Sequence, residues 1–287
     1  MFANINYIDC KNFEEAFDNL SLNSNRTAII AGGTDVIIGI RNNSSRFKDV
    51  NLIIDLKSIP KISEIKETEV EILIGSFSTF TSIFENNLIK KYFPLLVDAV
   101  SQIGNLQVRN RATIGGNIVN CAPCADSVPP LLVYNAEVVI RNSNGSFRIP
   151  LSEFLISPYK TKLKHNEILE AIALPIPQDN YKGKFIKLGK RKGVAISRLT
   201  FAILLDIVEN KINTLKIASG AITPIATRFN EIEEKYIYST PNDTTLINLV
   251  TDVASSILSK TGIRWSYPYK LPVFQQLLFT ELKKLIK

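Results

Sequence analysis

The chain has 287 residues, of which 45% are hydrophobic and 21% charged, and its formal net charge is +7. This length can bury a sizeable core in one large domain or in two ordinary ones. The positive charge is compatible with nucleic acid, an acidic partner surface, an anionic ligand or plain solubility. Because the Lys and Arg residues form no dense basic run with interleaved aromatic residues, we expect no nucleic-acid partner.

Compartment and redox class follow from two further features of the sequence. No stretch approaches the roughly 18 continuous apolar residues of a membrane span, and residues 1–10 lack the pattern of a secretory signal. We therefore expect a cytoplasmic protein without a membrane span. Cys10, Cys121 and Cys124 fit a reducing compartment, and three thiolates fall short of the four that an iron–sulfur cluster usually takes. Any such cluster must then lie in another polypeptide.

The single histidine excludes several kinds of catalytic site. His165 lies in the polar stretch 162–167, which is typical of a turn, and the sequence has neither an HExxH zinc motif nor a G-x-S-x-G nucleophile elbow. We predict a solvated turn histidine, no metal site and no catalytic acid or base in this chain.

The N-terminal third alternates predicted strands and helices. Phe13, Phe17 and Leu20 have helical spacing, and residues 28–31, 52–56 and 72–75 are apolar runs of strand length. Thr79 or Thr81 is expected to cap one helix that carries Ile83, Phe84 and Leu88. Pro94 opens another, whose apolar side comprises Leu95, Leu96, Ala99, Val100 and Ile103.

The pattern of predicted elements in the remaining two thirds of the sequence indicates an α+β protein with a domain boundary near residue 177. Residues 113–175 read as rich in strands, with a hairpin turn at residues 142–145. Residues 175–180 have the composition of a linker. Strands are then predicted around 185–187, 199–208 and 215–218, followed by helices near 244–259 and 273–286. We accordingly divide the chain into domains at 1–177 and 178–287.

Two glycine loops are the candidate functional motifs. Residues 29–36 and residues 113–118 each place a Gly-Gly pair beside an apolar, strand-like stretch and before a small polar side chain. Glycine lets a ligand approach the backbone closely, and successive N–H groups in such a turn can hold phosphate oxygens. Neither loop matches a nucleotide-triphosphate P-loop or a Rossmann fingerprint. From the residues alone, a bound pyrophosphate and simple hairpin or bulge glycines remain equally supported.

A longer motif adds a family resemblance. Residues 103–120, IGNLQVRNRATIGGNIVN, resemble the signature of the FAD-binding subunits of molybdenum hydroxylases, and the likeness continues at 31–35, 122–123, 126–132, 160–169, 185–191 and 220–228. The family includes xanthine, nicotinate and carbon monoxide dehydrogenases. It implies a two-subdomain FAD-binding fold of the vanillyl-alcohol oxidase and p-cresol methylhydroxylase type. A small α+β C-terminal domain of the carbon monoxide dehydrogenase flavoprotein type would follow.

The resemblance also implies which residues bind FAD. The first pyrophosphate loop would comprise Ile29, Ile30, Ala31, Gly32, Gly33, Thr34, Asp35 and Val36. The second would comprise Thr113, Ile114, Gly115, Gly116 and Asn117, with the Thr113 hydroxyl as a donor. Asp126 would tether the cofactor through hydrogen bonds. Ile103, Leu169 and Lys187 would lie beside the flavin, where a lysine stabilises the reduced anion; a solvated strand lysine is the alternative for Lys187.

The function implied by the resemblance is electron transfer. A separate molybdenum-cofactor subunit would hydroxylate a purine or nicotinate, and a [2Fe–2S] subunit would pass the electrons to FAD in this chain and onward to NAD or another acceptor. The protein would then be a hetero-oligomer. The alternatives are a free-standing flavin oxidase on the same fold and a basic anion- or RNA-binding module without catalysis.

Cys121 and Cys124 depart from the family pattern; we interpret them as buried cysteines and not as a redox or metal pair.

Overall fold

The computed structural model describes residues 5–22, 26–178, 181–191 and 193–287, and its chain begins with a small parallel sheet. The strands β1 (Asn6–Asp9), β2 (Thr27–Ile30) and β3 (Leu52–Asp55) are arranged in the order β1-β3-β2. Parallel neighbours need crossover connections, which contain α1 (Phe13–Leu22) and α2 (Val36–Arg41). The predicted amphipathic helix is confirmed as α1, which buries Ala16 and Leu20.

A five-stranded antiparallel sheet follows, and it contains the predicted hairpin. Its order is β4-β5-β10-β6-β7, with strands β4 (Ile65–Glu67), β5 (Glu71–Gly75), β6 (Glu137–Asn142), β7 (Gly145–Pro150) and β10 (Ile168–Pro175). The long connections carry α3 (Phe80–Glu85), α4 (Asn87–Tyr92), α5 (Pro94–Ser101), α6 (Leu106–Arg109), α7 (Ile114–Asn120), α8 (Val128–Val133) and α9 (Leu151–Phe154), and the short pair β8 (Leu155–Ser157) and β9 (Lys160–Thr161).

Three expectations for this region are wrong. The single helix expected after Thr79 is two helices, because the Asn86 side chain accepts from the N–H groups of Leu88 and Ile89 and so starts α4. The start of the segment 113–175 is helical and not strand-like, since α7 and α8 precede the hairpin. Ile103 lies beyond the end of α5 and is not part of its apolar side.

The C-terminal part is a four-stranded antiparallel sheet covered by helices. The strands β11 (Lys182–Gly189), β12 (Ser197–Val208), β13 (Lys211–Gly220) and β14 (Thr227–Arg228) pair in chain order. The helices α10 (Asn230–Tyr236), α11 (Asp243–Thr261) and α12 (Tyr267–Ile286) follow. The predicted strands and both closing helices are confirmed. None of the helices in the described ranges has both the length and the apolar character that crossing a membrane requires.

The sheet β11–β14 contributes to two hydrophobic cores. Side chains alternate between its faces, as a strand requires. One face packs with the helices of the preceding domain, through Phe185, Ala202, Leu204 and Ala218. The other packs against α11 and α12 through Leu199, Phe201, Ile203, Leu205 and Ile217, where the rings of Phe201 and Phe274 meet edge to face at 5.5 Å. Of the predicted linker, Asp179 and Asn180 lie outside the described residues.

Candidate FAD site

A cavity of about 390 Å³ lies where the first two sheets meet, a volume within the usual range of small-ligand pockets. Residues of β2 and of the loop that follows it line one part. Other parts are lined by Ser76 and Phe77 after β5, and by residues 163–169 at the start of β10. Both glycine loops face this cavity, although more than 75 residues separate them in the sequence.

Most of the predicted site residues line the cavity together. They are Ile29, Ala31, Gly32, Gly33, Thr34, Asp35, Val36, Thr113, Gly115, Gly116, Asn117 and Leu169. Ile30 and Ile114 are buried in the core behind the two loops. Ile103, Asp126 and Lys187 do not line the cavity and form a second group described below.

The first loop presents unpaired backbone donors. Gly33 has a φ of +73°, a conformation that favours glycine. Within the described part of the chain, no acceptor takes the backbone N–H groups of Gly32, Gly33, Thr34 or Asp35. A Cβ on Gly32 would lie 2.1 Å from the carbonyl oxygen of Arg111, so glycine here is required by the close approach of the two loops.

The second loop forms the first turn of helix α7. The prediction of a strand-like stretch beside its Gly-Gly pair is therefore wrong. Thr113 caps this helix, and its Oγ1 accepts the N–H of Gly116 at 3.1 Å. Because that bond uses a lone pair, the Thr113 hydroxyl proton is still able to donate to a ligand. A Cβ on Gly115 would collide with Ser76, whereas one on Gly116 would meet only Thr113 Oγ1 at 3.0 Å and Ala31 Cβ at 3.6 Å.

Ser76 is a site residue that the sequence did not indicate. Its Oγ is buried and has no hydrogen-bond partner among the described residues, although the residue lines the cavity. Buried hydroxyls are normally paired. The unpaired Ser76 hydroxyl, beside two glycine loops, is therefore suited to bind a polar ligand. Its only sequence signal was its place directly after the strand β5.

The second group of site residues is centred on a buried ion pair. Lys187 Nζ lies 2.7 Å from Asp126 Oδ2 and 2.7 Å from the carbonyl oxygen of Gln102, next to Ile103. Asp126 Oδ1 accepts from Ser197 Oγ at 2.5 Å. The side chains of Lys187 and Asp126 are only 8% and 6% exposed, so the solvated-lysine alternative is wrong. Burial raises the pKa of the Asp126 carboxyl, and the charge of Lys187 opposes that rise.

Short links join the cavity to this ion pair. Asn117, which lines the cavity, accepts from Ser127 at 2.7 Å, and Ser127 follows Asp126 in the chain. Burial raises the pKa of the Cys124 thiol, the charges of Asp126 and Asp35 add to that rise, and the charge of Lys187 opposes it. The two groups of predicted residues therefore belong to one continuous region of the protein.

The cysteines and the histidine agree with their sequence interpretation in part. Cys121 is buried and Cys124 half-buried, and burial raises the pKa of both thiols. Among the described residues, no three His, Cys, Asp or Glu side chains converge as metal ligands. His165 is exposed in a turn, as predicted, but it also lines the cavity.

Arg46 is a second residue that the sequence did not indicate. It lines the cavity, and its guanidinium lies 4.5 Å from the ring centre of Tyr159 and 5.1 Å from that of Phe47. It also donates to Asn120 Oδ1 at 2.8 Å. Arg46 thus connects the segment before β3 to the end of α7. No local pattern could have revealed a contact between residues 74 positions apart.

Comparison with known proteins identifies the family. Residues 3–177 match the family described as "FAD binding domain in molybdopterin dehydrogenase". The chain belongs to this family. Residues 184–285 match the "CO dehydrogenase flavoprotein C-terminal domain". The resemblance of the 103–120 motif is thereby confirmed, and the protein is an FAD-binding oxidoreductase subunit of the molybdenum hydroxylase type.

Several individual molybdenum hydroxylase subunits are similar over most of the chain. The xanthine dehydrogenase FAD-binding subunit of Escherichia coli O157:H7 is 30% identical over 270 residues, covering 93% of this chain and 90% of its own. The nicotinate dehydrogenase FAD-subunit of Eubacterium barkeri is 30% identical over 214 residues, covering 73% and 71%. The solved carbon monoxide dehydrogenase of Hydrogenophaga pseudoflava shares the fold, with a TM-score of 0.87 at 22% identity over 99% of this chain and 96% of that chain.

Proposed function

We propose that the two glycine loops hold the diphosphate of FAD in the cavity between them. The observation that carries this proposal is the meeting of both loops at one cavity. Among the residues that the structure describes, neither the N–H groups of residues 32–35 on the first loop nor the Ser76 hydroxyl beside the second has a hydrogen-bond partner. Successive free N–H groups bind phosphate oxygens well. Residues 29–36 and 113–117 then form the phosphate site, with Thr113 as a hydroxyl donor.

The flavin end of FAD is proposed to lie towards the buried ion pair. Leu169 lines the cavity and Ile103 adjoins Gln102, whose carbonyl accepts from Lys187. Asp126 serves as the polar tether, and Lys187 supplies a positive charge. When bound, FAD supplies the redox chemistry, while the chain binds and orients it and sets the local charge.

The experiment that tests this proposal is acid precipitation of the purified protein. The chain offers only one histidine, exposed in a turn, and cysteines whose pKa values are raised by burial, so no activated group for covalent attachment is present among these residues. The purified protein should be yellow, and acid should release all the flavin into the supernatant as FAD. A colourless protein that takes up no added FAD would contradict the site, and flavin left on the precipitated chain would contradict non-covalent binding.

We further propose that the protein works as a relay subunit. A molybdenum-cofactor subunit would hydroxylate a purine or nicotinate, a [2Fe–2S] subunit would deliver the electrons here, and NAD or another acceptor would remove them. The names of the similar xanthine and nicotinate dehydrogenase subunits support this assignment. A cytoplasmic hetero-oligomer fits the three free cysteines, and the limits of the two family matches support a domain division at 177/178.

The relay proposal is tested by turnover of the lone chain. Loaded with FAD and free of molybdenum, it should leave purine and nicotinate substrates unchanged, and its flavin should keep its oxidised absorbance. Bleaching of the flavin by either substrate would favour the free-standing oxidase instead. Identifying the polypeptides that co-purify with the chain tests the proposed partners directly.

A further inference from the structure

The positive charge of the protein is concentrated in two segments. Residues 181–205 contain seven Lys and Arg, and residues 253–280 contain three, while neither segment contains an Asp or Glu. Together they more than account for the formal net charge of +7, so the rest of the chain has an excess of carboxylates. Such segregation creates a one-signed field over part of a surface.

The fold brings these segments together at one end of the C-terminal sheet. The connection between β11 and β12 leads into Arg198, and the segment between α11 and α12 contains Arg264. Lys270 Nζ donates to the carbonyl of Ala221 at 3.1 Å, and the preceding residue, Gly220, pairs with Thr200, two residues after Arg198. Burial lowers the pKa of the Lys270 ammonium, and the charges of Arg198 and Arg264 lower it further. None of these three cations forms an ion pair with a carboxylate in the described ranges. Three cations held together without a counter-charge repel one another unless an outside anion pairs with them.

Large apolar side chains are exposed among these cations. Ile263 is 91% exposed and Trp265 is 90% exposed, on either side of Arg264, and Ile196 near Arg198 is 79% exposed. Isolated exposed apolar residues are ordinary, but Trp and Arg are enriched among the residues that contribute most to protein–protein binding. We call Ile196, Arg198, Ile263, Arg264, Trp265 and Lys270 the basic patch.

The basic patch adjoins the groups that surround Asp126. Ser197, between Ile196 and Arg198, donates to Asp126, and Lys187 on the neighbouring strand does the same. Lys270 donates to the carbonyl of Ala221, whose own N–H donates to Pro123, three residues before Asp126. Ile196, Arg198 and Lys270 of the patch therefore border the residues that hold the buried ion pair.

We propose that the basic patch is the docking surface for an acidic electron-carrier protein. Carboxylates of the carrier pair with Arg198, Arg264 and Lys270, and an apolar centre covers Trp265 and Ile263. This inference rests on the proposed function and adds to it the surface and the chemistry of the partner. A protein fits better than a dinucleotide because large apolar side chains of two separate segments are exposed among the cations, and protein interfaces combine apolar with charged and polar contacts.

Trp265 is the only tryptophan of the chain, so its fluorescence reports on docking directly. The probe is an acidic [2Fe–2S] ferredoxin without tryptophan, added to the full-length protein. Trp265 should lose its accessibility to acrylamide as ferredoxin is added, and the apparent Kd should rise steeply with salt. Basic cytochrome c and NADH are the comparison ligands, and neither should protect Trp265.

Charge reversal at the patch supplies the second measurement. R198E/R264E should raise the Kd for ferredoxin about tenfold or more, because both charges oppose the acidic probe. K57E/K66E makes the same change of net charge at exposed lysines in the N-terminal domain and should leave the Kd near that of the parent. R264E alone alters only an exposed side chain and keeps the test valid if the double variant does not fold.

Three results would overturn the proposal: equal weakening by the two charge-reversal pairs, equal protection by cytochrome c, or protection by NADH in place of ferredoxin. The last would make the patch a dinucleotide site. If the purified protein bound no FAD, the proposed function would be contradicted. The docking measurement could still be interpreted, because Trp265 reports on docking and not on the flavin.

Discussion

Lys187 and Asp126 form a buried ion pair that joins the C-terminal sheet to the loop before α8, with 2.7 Å between Nζ and Oδ2. Removing one member leaves the other charge buried without a partner. We expect Lys187→Met to lower the free energy of unfolding by about 3–5 kcal/mol, measured by urea denaturation. Lys184→Met, at an exposed position on the same strand, is the matched control and should cost little.

The double variant Asp126→Asn/Lys187→Met separates charge from packing. Because it removes both charges, it should recover much of the stability lost in Lys187→Met. It should still bind FAD more weakly than the parent, since both side chains are proposed to face the flavin. If the double variant is as unstable as the single one, the ion pair is not the source of the loss.

Replacement of Gly116 and of Gly32 by alanine is predicted to have different effects, on FAD binding in the first case and on stability in the second. Gly116→Ala places a Cβ that the protein itself can nearly accommodate, so the fold should persist while most bound FAD is lost. Gly32→Ala places a Cβ against the Arg111 backbone and should lower the free energy of unfolding even without FAD. The measurements are flavin content and thermal unfolding of both variants. Gly116→Ala that retains FAD like the parent would make residues 113–117 a purely structural turn.

Ser76 is predicted to bind the cofactor through its unpaired hydroxyl. Ser76→Ala should weaken FAD binding by about 0.5–1.5 kcal/mol, the usual net value of a hydrogen bond. The FAD-free protein should lose no stability, because the Ser76 hydroxyl bonds to none of the residues that the structure describes. Ser78→Ala is the control: its Oγ donates to the Ser63 carbonyl at 3.0 Å, so this variant should lose stability instead. Unchanged FAD affinity in Ser76→Ala would remove Ser76 from the site.

Cys121 and Cys124 are predicted to be unreactive near neutral pH. Burial raises the pKa of both thiols, so a smaller fraction is thiolate at a given pH than for a free cysteine. Labelling of the folded protein by iodoacetamide should therefore be slow and should accelerate only as the pH rises above the ordinary thiol pKa. Peptide mass spectrometry at several pH values, with the urea-unfolded chain for comparison, measures this. Rapid labelling at pH 7 would favour the redox interpretation of the pair.

Local patterns in the sequence predicted much of the fold. The spacing of Phe13, Phe17 and Leu20 gave α1 correctly, and the turn at residues 142–145 gave the β6–β7 hairpin, because both depend on neighbouring residues. The helix after Thr79 was predicted as one piece, since the hydrophobic pattern continues to Leu88. The Asn86 side chain interrupts it by a capping bond that hydrophobic spacing does not reveal.

The candidate site was predictable only where motifs exist. Both glycine loops could be recognised, but their meeting at Gly32 and Arg111 is a tertiary contact. Asp126 and Lys187 were proposed from family resemblance, and their pairing with each other was not foreseen. Ser76 and Arg46 went unnoticed because a serine after a strand and an arginine in a loop are common, and only the cavity distinguishes them.

The sheet β11–β14 has a consequence for how the molecule unfolds. Phe185, Ala202 and Leu204 complete the core of the preceding domain, while Phe201 and Leu205 complete the core under α11 and α12. The preceding domain therefore cannot unfold without exposing apolar residues of the C-terminal sheet, and the C-terminal part cannot unfold without exposing apolar residues of the preceding domain. The boundary at 177/178 would thus divide two sequence families without dividing two folding units. A chain cleaved there should remain associated as a two-fragment complex and melt in one cooperative transition.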